Sequence, residues 1–82
     1  MHMKTLHEQD GITIVAAELR NGWQIMVNTK FRSAVIPLLL NEEEVEVLQN
    51  RILPKLKLDV ESIPHTLELI TGAVRFAMKP QP

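Results

Sequence analysis

Few side chains in this sequence could do chemistry, and their spacing decides what that chemistry would be. His65 lies four residues after Glu61 and three before Glu68, so on a helix the imidazole and the carboxylates would share one face. Such a trio could pass a proton or hold a cation. A metal site ordinarily gathers three or four ligands and fixes them with a further layer of hydrogen bonds. One His among carboxylates is also what an ordinary solvated helix carries, and the chain has no Cys to add a thiolate. His7 stands alone in a polar stretch. Ser33 and Ser62 have no His at a spacing that would mark a nucleophile. The three Gly residues are dispersed, so no phosphate-cradling loop can form, and neither G-x-S-x-G nor H-E-x-x-H occurs. The sequence predicts no catalytic residue, no metal site and no cofactor, and a protein that is not an enzyme.

Charge is the next place to look for a function. Glu42, Glu43, Glu44 and Glu46 crowd together directly after Asn41. They could attract a basic partner, but helix capping accounts for their positions more simply. Asn41 is a good N-cap, Glu44 stands at the reciprocal capping-box position, and negative charge suits the positive end of a helix. Basic residues gather at Lys30 and Arg32 and again at Arg51, Lys55 and Lys57. If the two groups adjoin, they form a patch able to contact phosphates, and a nucleic-acid-binding regulator is the alternative reading. The formal charge of −1 gives no general attraction for nucleic acid or an anionic membrane.

The elements that must position these residues can be read in turn. At 82 residues the chain fits one domain, with a modest core and no disulfide to reinforce it. Met1-His2-Met3 reads as a start codon and cloning-site residues ahead of a natural start at Met3. Residues 3–10 are polar and aperiodic and read as a frayed lead-in, as do residues 80–82 at the other end. Two β-prone stretches, 12–19 and 23–30, flank Asn21-Gly22, a dipeptide suited to a type I′ hairpin turn. That loop sets Arg20 against Trp23, Glu18 against Ile25, Ala16 against Val27, Ile14 against Thr29 and Ile12 against Phe31. It gathers Ile12, Ile14, Ala16, Trp23, Ile25, Val27 and Phe31 on one face. Residues 33–40 alternate as a third strand, placed at an edge by Pro37. A helix over 41–53 ends at Pro54, and a second, over 62–78, starts near Ser62 with Pro64 in its first turn. The expected fold is α+β: an N-terminal antiparallel hairpin, a third strand, and two helices packed on the sheet.

Surplus apolar surface is the feature that bears most on function. The second face of the hairpin holds Val15, Ala17, Leu19 and Met26, and the final helix is apolar beyond a single stripe, with Leu69, Ala73, Val74 and Phe76 all candidates for an interface. One sheet layer has difficulty covering both. Trp23 is read as closing the sheet core and not as a binding anchor. The sequence thus predicts a small regulatory module that binds a protein partner or itself, as a homodimer. No apolar run nears the ~20 residues of a membrane span, and a cytoplasmic location is expected.

Overall fold

Asp10 and Gly11 make the first turn. Both take positive φ, 47° and 81°, the conformation of a type I′ turn, whose twist suits the hairpin that it joins. In the computed structural model, which describes residues 2–78, the strands of this hairpin are β1 (Met3–Gln9) and β2 (Ile12–Leu19). The expectation of a frayed lead-in at 3–10 is overturned. Gln9 pairs with Ile12 and Met3 with Ala17, and the Glu18 amide donates to the His2 carbonyl at 2.8 Å. A bulge between Thr5 and His7 turns Leu6 into the core. Leu6 is the one buried residue of β1, so alternation of apolar residues could not announce the strand. The Asp10-Gly11 dipeptide could have.

The second turn departs from expectation in register. β3 runs Gly22–Asn28, not 23–30, and pairs with β2 so that Leu19 faces Gly22 and Glu18 faces Trp23. The loop is therefore Arg20-Asn21, and neither residue takes positive φ. Gly22 does, at 152°, and a Cβ there would lie 3.0 Å from the Leu40 carbonyl oxygen and 3.2 Å from Leu39 Cβ. Glycine is needed here by the neighbouring strand as well as by φ. The offset from the expected pairing is two residues. Side chains alternate with period two, so this slip keeps every residue on its expected face. Ile12, Ile14, Ala16, Ile25 and Val27 are buried as expected, and Trp23 packs partly buried against them. Phe31 is the exception: it lies beyond the strand and is 74% exposed.

Thr29 closes the loop between β3 and β4, its hydroxyl accepting from the Phe31 and Arg32 amides at 3.2 and 3.1 Å. β4 (Ser33–Leu40) is the edge strand expected. Gln24 pairs with Leu39 but Met26 with Val35, so β4 is two residues longer than β3 across the stretch that holds Pro37. The sheet is an antiparallel meander in the order β1-β2-β3-β4, four strands where three are expected.

Asn41 begins α1 (Glu42–Val47) with a complete capping box. Its Oδ1 accepts from the Glu44 amide, and Glu44 Oε1 accepts from the Asn41 amide, both at 2.8 Å. The single helix expected over 41–53 does not continue in α form. It widens to a π-turn over Leu48–Ile52 and tightens to a 3-10 turn over Leu53–Lys55. Pro54 supplies a reason, since its ring would clash with the carbonyl four residues back in a straight helix. The widening also serves the core. Residues five apart on an α-helix point about 140° away from each other, yet Leu48 and Leu53 are both fully buried.

The second helix, α2 (Ile63–Met78), matches expectation to within a residue and lies along β4 and against α1. Ile63, Leu67 and Val74 face the core, and the buried Thr71 hydroxyl donates to the Glu68 carbonyl. Strand residues from one face of the sheet, the turns after α1, and α2 form one hydrophobic cluster. The class is α+β, with the helices on one side. Residues 80–82 lie outside the described residues.

Candidate interaction surface

The face of the sheet turned away from the helices is ordered in rows across the strands. One row is Met3, Ala17, Gln24 and Leu39; the next is Thr5, Val15, Met26 and Val35; the third is Glu8, Thr13, Asn28 and Ser33. The first two are mainly apolar and the third is polar. Glu8 is the one charged strand residue on this face. Met3 is 60% exposed and Val35 51%, while Val15, Leu19, Met26 and Leu39 are half-buried. Four strands by seven residues give a footprint of roughly 19 by 24 Å, or about 450 Å². That footprint includes the polar third row, so the apolar part is smaller and has a polar margin on one side. Val15, Leu19 and Met26 were legible in the sequence. Met3 and Leu39 were not joined to them, because that requires the β1 pairing and the register of β4.

The candidates on α2 divide. Leu69, Ala73 and Phe76 are exposed, Leu69 at 62% and Phe76 at 80%. Val74 is 3% exposed, and what it shows to solvent lines the apolar groove beside α2. Two stripes of α2 have different surroundings: Ile63 and Leu67 pack in the core, and Leu69, Ala73 and Phe76 lie exposed beside them. Beside the free stripe runs an apolar groove of about 380 Å³, walled by Val47 and Ile52 on one side and by Ile70, Ala73 and Ala77 on the other. Its end at Met78 adjoins a polar hollow lined by Glu43, Glu46, Asn50 and Arg51.

Arg32 Nη2 donates to the Glu61 carbonyl at 2.9 Å, just before α2 begins, and Lys30 Nζ sits 5.2 Å from the Phe31 ring centre. Arg51 stands at the other end of α2, beside Met78. The 16 residues of α2 span about 24 Å. Lys55 and Lys57 are exposed on the segment between. Arg32 and Arg51 therefore stand near opposite ends of α2.

His65 and Glu68 are exposed on α2, and Glu61 lies outside the helix. His7 Nε2 is 3.2 Å from Gln9 Oε1. Among the described residues, no three His, Asp or Glu side chains come together as a metal-binding group. Glu44 is the buried carboxylate, and both its oxygens are engaged: Oε1 at the α1 cap and Oε2 at 3.6 Å from Arg75 Nε. No helix among the described residues is long and apolar enough to cross a membrane. Comparison of the chain with family models, with curated proteins and with solved structures finds no match in any of the three.

Proposed function

We propose that this chain is a non-enzymatic protein-interaction module that self-associates through the open face of its sheet. The observation that carries the reading is the pair of apolar rows around Val15 and Met26, which no helix or strand among the described residues covers. A two-fold dimer suits such a face, because a surface free of charge at its centre meets its own copy without repulsion. The sheets would stack about 10 Å apart with the helices outermost. Pairing through sheet edges has less in its favour. Pro37 and the irregular register interrupt β4, and the bulge at Leu6 interrupts β1, both devices that discourage strand addition.

Size sets the expected strength. A stable interface buries about 800 Å² of accessible surface per partner, and this face is small, four strands by about seven residues, with one of its three rows polar. The dimer is accordingly concentration-dependent and not obligate. Sedimentation equilibrium from micromolar to millimolar protein tests the reading: the apparent mass should rise towards twice the monomer, and a constant monomer mass would exclude it. A nucleic-acid role lacks comparable support, since Arg32 and Arg51 stand at opposite ends of α2 and the formal charge is −1.

A further inference from the structure

A sheet face can meet its own copy about a two-fold axis that runs along the strands or across them, and the rows of this face distinguish the two. We infer that the axis runs along the strands, so that β1 of each protomer lies over β4 of its partner and β2 over β3. This arrangement builds on the self-association proposed above and names which residues meet. The face changes character along the strands and not across them. Its first two rows, from Met3 to Leu39 and from Thr5 to Val35, are mainly apolar, and its third, from Glu8 to Ser33, is polar.

An axis along the strands reverses the strand order and keeps the rows level. Met3 then lies over the partner's Leu39, Val15 over the partner's Met26 and Thr5 over the partner's Val35, so apolar rows cover apolar rows. Leu19, which pairs with Gly22 in its own chain, lies over the partner's Gly22, a position with no side chain to displace. Glu8, the one charged strand residue on the face, meets the hydroxyl of the partner's Ser33. The two Glu8 carboxylates stand three strand spacings apart across the sheet, about 14 Å, and do not repel at close range. An axis across the strands keeps each strand over itself and reverses the rows. Centred on the second row, it sets Met3 over the partner's Glu8, and a carboxylate loses water to a thioether, at a cost. Centred between the first two rows, it moves Leu19 onto the partner's Thr13 and drops Glu8 and Ser33 from the contact, which shrinks a face that is already small.

The chain has no Cys, so introduced thiols report the arrangement cleanly. The Met3→Cys/Leu39→Cys double variant is treated with a short bis-maleimide at concentrations where sedimentation shows association, and the products are separated on a denaturing gel. It should form the cross-linked dimer about tenfold faster than either single variant, because its thiols are held at facing positions. Glu8→Cys/Ser33→Cys, which leaves both apolar rows unchanged, should cross-link in the same way and decides the matter if the first pair weakens association. Met3→Cys alone cross-linking as fast as the double variant places the axis across the strands and overturns the proposal. A doubled mass in sedimentation with no cross-link in either double variant overturns it too, while the self-association stands. A monomer mass at every concentration overturns the self-association and this arrangement with it.

Discussion

Val15 and Met26 are cross-strand partners at the centre of the sheet face that no helix among the described residues covers. They are half-buried by their neighbours and still reachable by a partner. A charge placed there would meet its own copy across the two-fold axis. Met26→Lys should therefore shift sedimentation towards the monomer at every concentration. The same change should alter urea-unfolding stability by less than about 1 kcal/mol, because the site is not in the core. Thr13→Lys, in the polar third row, should affect assembly less. A Met26→Lys protein that associates like the wild type would move the interface elsewhere.

Val74 and Phe76 are two residues apart on α2 and should respond in opposite ways. Val74 lies in the core, so Val74→Glu buries an unpaired carboxylate and should cost about 3 kcal/mol or more, enough to unfold a small domain. Phe76 is 80% exposed, and Phe76→Glu should change stability by no more than about 0.5 kcal/mol. Thermal melts of the two variants give the contrast directly. Similar losses in both would mean that α2 is rotated about its axis relative to the packing described.

The contrast between these two residues also marks what the sequence could and could not reveal. Ile63, Leu67, Ile70 and Val74 follow one helical stripe, and the fold uses it as the core face. Which neighbouring stripe stays free depends on where α1 crosses; Pro54 announces that the helix breaks but not that it widens to a π-turn over Leu48–Ile52. In the sheet, the face assignments survive a wrong register because the offset was even. The strand Met3–Gln9 escaped notice because a bulge breaks its alternation and an edge strand needs few apolar residues. The spare apolar surface was legible from composition. Its division into an open sheet face and a helix groove required the tertiary arrangement.

Glu44 couples two elements and should be the most costly of its neighbours to remove. It accepts from the Asn41 amide at the start of α1 and lies beside Arg75 of α2. Asn41→Ala removes a cap and should cost about 1 kcal/mol. Glu44→Ala removes the reciprocal bond and the partner of Arg75, and should cost about 2 kcal/mol. Arg75→Ala should cost at most about 1 kcal/mol, since its guanidinium is exposed and solvent screens the pair. The double change at Asn41 and Glu44 should cost less than the sum of the singles, because both act on one cap. Urea denaturation of the four variants checks the order, and a loss at Arg75 larger than that at Glu44 would contradict it.

Gly11 and Gly22 both take positive φ, but only Gly22 has a neighbour in the space a side chain would fill. Around Gly11 nothing lies within 4 Å, so Gly11→Ala meets only the backbone penalty of a left-handed residue, about 1 kcal/mol. At Gly22 the added methyl would also stand 3.0 Å from the Leu40 carbonyl oxygen. That atom is backbone and cannot swing aside, so β4 must shift away from β3. The strain should raise the cost by roughly another 1–3 kcal/mol. It should also have a location: hydrogen exchange should quicken at the β3–β4 amides near Trp23 and Leu40, which are paired, and stay slow between β1 and β2. Equal costs at the two glycines, with no local change in exchange, would mean that β4 yields freely at that end and that Gly22 is required for its φ alone.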